Sequence, residues 1–144
     1  MQLIKPAMKT FNFKIATMEG VVYSDLVREV TVPTQSGEIG ILANHTPIVT
    51  LLKPGELKIF KDDHIVSMAV SQGFVEVRRG GEMVILADTA DRAEDIDLEA
   101  AQAARERAEE ALSRKDELSD VDFARFEAIM EREMARIKVG SGRL

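Results

Sequence analysis

The chain changes regime once, near residue 90. All four prolines and seven of the nine glycines precede Glu82, and neither residue occurs between Glu82 and Val139. Twelve of the sixteen alanines fall from Ala87 onward. Glycine and proline punctuate turns, whereas alanine is the strongest helix former. So divided, the chain predicts a strand-and-turn body over residues 9–93, a helical tail over 94–144 and a flexible leader over 1–8.

Within the body, Phe11, Phe13 and Ile15 alternate with polar neighbours, the period-two pattern of a half-buried strand. Val30 and Val32, Leu57 and Ile59, Val66 to Val70, Val75 and Val77, and the run Met83 to Ala87 repeat the signal. Turn residues separate them at Glu19-Gly20, Gln35-Ser36-Gly37, Pro54-Gly55, Asp62-Asp63, Gly73 and Gly80-Gly81. Short strands joined by such turns, with no helix-length insert, predict an antiparallel sandwich or flattened barrel and not parallel βαβ units.

In the tail, Asp95 and Asp97 are candidate caps for a helix from about Leu98 to Lys115. Leu98, Ala101, Arg105, Ala108 and Leu112 share one face at 100° per residue. Asp116 to Ser119 breaks the pattern, and Ser119 with Asp122 fits a capping box for a second helix. There Phe123, Phe126, Met130, Met134 and Ile137 form an apolar stripe, and Gly140 and Gly142 are the expected end. The short linker predicts an antiparallel hairpin. Its alanine-rich seam buries little area, so moderate stability and an ability to exchange partners are expected.

Composition narrows the function. With 45% hydrophobic and 31% charged residues the chain is globular, and a net charge of −6 opposes nucleic-acid binding by phosphate neutralisation. The absence of cysteine removes disulfides and thiolate chemistry. No apolar run approaches the ~20 residues that cross a bilayer, and Met1 to Lys9 is too short and weakly apolar for a secretory signal. His45 and His64 are separated by eighteen residues on different predicted segments, which argues against a metal site. No nucleophile elbow, phosphate loop or zincin motif occurs, and no catalytic constellation is found. Gly37-Glu38-Ile39-Gly40 reads as an exposed turn with an acidic tip.

One charged pattern stands apart. Arg125, Arg132 and Arg136 fall within about 40° on the second helix, opposite the apolar stripe, and Arg107 and Arg114 share a face of the first. Arg132 and Arg136 are like charges four residues apart, unfavourable unless an anion lies between them. This is either a solvated face or a dock for phosphates or an acidic protein segment.

The order of segments resembles the epsilon subunit of bacterial F-type ATP synthases, from about Lys9 to Lys138. The residues that carry it are Ser36-Gly37-Glu38-Ile39-Gly40-Ile41-Leu42, His45-Thr46-Pro47, Gly73-Phe74-Val75-Glu76-Val77 and Ile85-Leu86-Ala87-Asp88-Thr89-Ala90, followed by the alanine-rich hairpin. The resemblance implies a ten-stranded flattened sandwich with a C-terminal two-helix hairpin. It also implies a non-catalytic rotor subunit of the central stalk, coupling proton flow to ATP synthesis. Such a subunit lies peripherally on the cytoplasmic face of the bacterial inner membrane. Its implied partners are the gamma subunit, met by the edge holding His45 and Thr50, and the c-subunit ring, met by Glu38. The arginines of the tail, Arg125 among them, match the basic side that meets the acidic C-terminal region of beta when the tail extends to inhibit hydrolysis.

Some family members bind ATP on the folded hairpin through a motif that begins Ile-Asp-x-x-Arg-Ala. Here Ile96-Asp97-Leu98-Glu99 is followed by Ala100-Ala101, so the motif's arginine is absent. Arg107, Arg132 and Arg136 match the other phosphate-contacting arginines, and Asp91 stands where glutamate is usual. A lost charge-assisted contact costs ~1.5–3 kcal/mol, so the expectation is weak ATP binding or none, and no other cofactor. Two further readings stay open: a nucleotide-sensing module, or an unrelated sandwich-type binding domain. Association with gamma without nucleotide separates them.

Overall fold

The computed structural model describes residues 9–142; the expected leader, residues 1–8, lies outside them. Ten strands precede two helices: β1 (Phe11–Thr17), β2 (Gly20–Val27), β3 (Glu29–Thr34), β4 (Gly37–Leu42), β5 (Ile48–Leu52), β6 (Gly55–Phe60), β7 (Ile65–Val70), β8 (Gly73–Val77), β9 (Met83–Ala87) and β10 (Ala90–Arg92), then α1 (Leu98–Ser113) and α2 (Asp120–Ser141). The sheet follows the order β10-β7-β6-β3-β5-β8-β9-β1-β2, with β4 paired to β3. It folds back at the single register pair Thr34–Leu52. One layer is therefore β10-β7-β6-β3-β4 and the other β5-β8-β9-β1-β2. This is the flattened sandwich that the resemblance implies, one of the two forms the alternation left open. Between the layers lie Phe13, Ile15, Val30, Val32, Ile41, Leu57, Ile59, Met68, Val75 and Ile85, all at 1% exposure or less.

One pair departs from the antiparallel rule: β1 and β9 run parallel. A parallel pair needs a long connection, and here the connection is the rest of the sandwich. Gly73, read from the sequence as a turn, instead begins β8 and pairs with Leu52 and Ala87. A Cβ at Gly73 would sit 1.9 Å from the Leu86 carbonyl oxygen, so a glycine is needed for close approach of β8 to β9.

The caps are as expected: Asp97 accepts from the Ala100 amide at 3.1 Å, and Ser119 from the Asp122 amide at 3.1 Å. Asp95 instead closes a 3₁₀ turn, Ala93–Asp95, and α1 stops at Ser113, before a second 3₁₀ turn, Lys115–Glu117. Gly140 does not end α2, which continues to Ser141. A Cβ there would lie 2.8 Å from Leu98 Cδ2 and 3.1 Å from Ile96 Cγ2.

The seam of α2 also differs from its expected course. Met134 is 47% exposed, while its neighbour Glu133 is 2% exposed. Phe123, Phe126, Met130 and Ile137 are half-buried along the hairpin. The other side of α2 is not free: Ala135 and Val139 pack with Ala69 of β7, Ala93 and Ile96, with Leu98 beside them. Met68 and Val70 belong to the core between the layers, so Ala69 between them faces outward. The hairpin thus covers the outer face of β6 and β7. These side chains are small, and each buried methylene contributes only ~0.8 kcal/mol.

Candidate functional site

The connection from β10 to α1 makes a cleft under the hairpin. Asp91 is on β10, Ile96 and the N-cap Asp97 lie in the connection, Ala100, Ala101, Ala104 and Arg107 come from α1, and Glu133 and Arg136 from α2. The cleft holds about 370 Å³. The alanines give it room, since any longer side chain at those positions would fill it. It unites five of the residues that the resemblance assigns to a nucleotide: Asp91, Ile96, Asp97, Arg107 and Arg136. Ala100, where the motif has arginine, lines the same space.

The charges within it are already largely matched. Arg136 Nε donates to Asp91 Oδ2 at 2.9 Å, and Arg136 Nη1 to Glu133 Oε1 at 2.7 Å. Arg132 Nε donates to the same Glu133 oxygen at 3.1 Å. Among the lining residues, four carboxylates (Asp91, Asp95, Asp97, Glu133) face two guanidiniums (Arg107, Arg136), a formal charge of −2. Arg107 is exposed and makes no ion pair among the described residues.

Arg125 and Arg132 do not line this cleft. They edge a smaller hollow of about 180 Å³ with Pro54, Ser71, Gln72 and Asp88 of the body and Ala128 and Ile129 of α2. Arg125 stands over the Phe126 ring at 5.4 Å and lies 3.7 Å from Asp122. Of the basic side of α2, Arg132 and Arg136 are turned toward the sandwich, with side chains 35% and 24% exposed, while Arg125 remains 66% exposed. Sequence reasoning asked for an anion between these two arginines and passed over Glu133. The signal lay in its position, three residues after Met130 and four before Ile137, inside the apolar stripe.

On the body, Glu38 is exposed but is not at a turn tip. It is the second residue of β4, opposite Pro33. His45 follows β4 and its Nδ1 lies 2.7 Å from the Thr46 carbonyl oxygen, the loop hydrogen bond that suits a histidine without ligand partners. Thr50 is half-buried in β5 between two outward residues, Val49 and Leu51, at 68% and 42% exposure. Leu51 opens a row that crosses the whole layer. Leu51 pairs with Phe74, Phe74 with Leu86, Leu86 with Ala16, and Ala16 with Val21. Phe74, Leu86 and Val21 are 55%, 54% and 58% exposed. At about 4.8 Å per strand the row is roughly 19 Å wide. A contiguous apolar band of this kind marks an interaction surface. It lies on the layer opposite the one the hairpin covers. Among the described residues no helix is long and apolar enough to cross a membrane.

The sandwich thus has one face capped by the helical hairpin and the other crossed by an exposed apolar row. The family model of the ATP synthase delta/epsilon chain beta-sandwich domain matches residues 10–93, and that of the delta/epsilon long alpha-helix domain matches residues 94–140. The chain belongs to the ATP synthase epsilon chain family. The epsilon chain of Desulforamulus reducens is 43% identical over 130 residues, 90% of this chain and 96% of that protein. That of Bacillus velezensis is 41% identical over 132 residues, covering 92% and 98%. The fold also matches a chain of the Euglena gracilis mitochondrial ATP synthase, solved as OSCP, F1 and c-ring, with a TM-score of 0.73 at 23% identity over 88% of this chain and 78% of that one. A chain of the Tetrahymena thermophila central stalk and c-ring gives 0.60 at 13% identity, covering 94% and 96%.

Proposed function

We propose that this chain is a non-catalytic subunit of the central stalk, held between the gamma subunit and the ring of c subunits in an ATP synthase at the inner membrane. Residues 9–93 act as a stiff adaptor in the coupling of proton flow to ATP synthesis, and residues 94–144 as a regulatory tail that restrains hydrolysis. The observation that carries the adaptor reading is the exposed row Leu51–Phe74–Leu86–Val21. A rotor coupling needs a broad apolar contact, and this one is formed by five adjacent strands, with Thr50 and the His45 loop at one end. We assign this face to gamma. Glu38, exposed on β4, is assigned to the polar loops of the c ring. In the folded tail Arg132 and Arg136 are turned to the body; on extension they join the already exposed Arg125 in meeting an acidic segment of beta.

The test is co-purification with gamma. Phe74→Asp puts a charge in the middle of the row at a position already exposed, so the sandwich tolerates it while a desolvated apolar contact does not. It is expected to abolish recovery with gamma, whereas Met134→Asp on the tail leaves recovery intact. Full recovery of the Phe74→Asp chain would move the gamma contact elsewhere.

A further inference from the structure

The arginine pair of α2 carries its own anion. Glu133 is 2% exposed, yet one of its oxygens accepts from Arg132 Nε at 3.1 Å and from Arg136 Nη1 at 2.7 Å. Arg136 passes the contact on to Asp91 of β10 at 2.9 Å, so three side chains of α2 are tied to the last strand of the sandwich. Packing alone does not call for a glutamate here. Burying a carboxylate costs its hydration, and the position belongs to an apolar stripe where a methionine or leucine would bury more area. What the carboxylate supplies is charge compensation for two guanidiniums one helical turn apart, which otherwise repel.

We infer that Glu133 is a built-in counter-ion: it fastens the folded hairpin to the sandwich without any external anion, and it holds the guanidiniums that a polyphosphate would need. An entering triphosphate would have to displace Glu133 from Arg136 and leave that carboxylate buried beside its own negative oxygens. The rest of the cleft offers little compensation, because Asp91, Asp95 and Asp97 outnumber Arg107. Removing the carboxylate halves the excess of negative charge, from −2 to −1 among the lining residues. Arg132 then loses its bond to Glu133 and Arg136 keeps only Asp91, and an added polyanion supplies what the two guanidiniums have lost. The inference stands on the hairpin and Asp91 and does not depend on the partners proposed for the sandwich.

Hydrogen exchange on the full chain, with and without ATP as the polyanion probe, tests it. In the parent, ATP is expected to leave exchange across Asp120–Ser141 unchanged. In Glu133→Ala those amides are expected to exchange about tenfold faster, as for a lost charge-assisted bond, and ATP is expected to slow them again. Glu133→Gln keeps the side-chain volume and removes the charge, so it too is expected to exchange faster. Should the alanine variant lose all tail protection, the glutamine variant decides on the same criteria, and unchanged strand amides certify that the sandwich is folded. Parental exchange rates in both variants, ATP protection of the parent tail, or variants indifferent to ATP would each overturn the proposal.

Discussion

Two glycines show how a missing side chain is used at close quarters. At Gly73 a Cβ would meet backbone, 1.9 Å from the Leu86 oxygen and 2.8 Å from the Ala87 Cα, and neither can yield without parting β8 from β9. At Gly140 the nearest atom is Leu98 Cδ2, the far end of a flexible side chain. Gly73→Ala is therefore expected to cost about 3 kcal/mol or more by overpacking. Gly140→Ala pays a smaller clash and gains about 1 kcal/mol of helix preference, ending within about 1 kcal/mol of neutral. Thermal unfolding of the two variants separates these outcomes. The sequence marked both glycines, but as punctuation: a turn at one, a helix stop at the other. Close approach depends on which strand or helix lies opposite, and that is tertiary information. Glu133 escaped notice for a related reason: at 100° per residue it and Met134 flank the same seam, and hydrophobicity favoured the methionine. Only the body packed on the far side of α2 shows that the seam is shifted.

The strands legible in the sequence were those with alternating apolar residues or a continuous apolar run: β1, β3, β6, β7, β8 and β9. The four that the pattern did not reveal bury too little. In β2 only Tyr23 and Val27 are buried, and a register irregularity opposite Ile15 and Ala16 breaks the period of two. In β4 only Ile41 is buried, in β5 only Leu52, and β10 has three residues. The strand count of ten came from the family resemblance. The two ends of the sheet path, β2 and β10, are held by contacts that no periodicity encodes. The Arg92 guanidinium lies over the Tyr23 ring at 5.4 Å, and Lys61 Nζ donates to Asp25 Oδ2 and to the Leu26 carbonyl, each at 2.6 Å. The bond from Lys61 holds the Asp25 carboxyl below its ordinary value of 3.8, and Asp25 raises Lys61 above 10.5. A depressed carboxylate stabilises above its unfolded pKa and loses that effect as pH falls through the folded one. A raised lysine stabilises below its unfolded pKa and loses it as pH rises through the folded value. The strap therefore works between these limits. Asp25→Asn is expected to lower the melting temperature slightly at neutral pH, with the difference from the parent closing as the solution is acidified below the usual carboxylate range. A constant difference across that range would show that the pair contributes no pH-linked stability.

At the scale of the molecule the two outer faces of the sandwich have different fates. The face of β6 and β7 is covered by α2 through small side chains, Ala135 and Val139 on Ala69, Ala93 and Ile96, supplemented by ion pairs at Asp91 and Glu133. The face of β5, β8, β9, β1 and β2 is left open and carries the exposed apolar row. The core between the layers, by contrast, is a continuous set of large side chains that includes no residue of either helix. The division of the chain near residue 90 was visible in composition because turns and helices draw on different residues. The docking of the tail was not, since it rests on alanines and on one buried charge. The proposed adaptor with a separable latch fits this arrangement, because no helix residue belongs to the core between the layers. The most direct measurement is ATP hydrolysis by the assembled complex when its chain ends after Ala93. The account predicts that the shortened chain still joins the complex and that hydrolysis rises. A chain that no longer assembles, or a complex that hydrolyses at the parental rate, would contradict it.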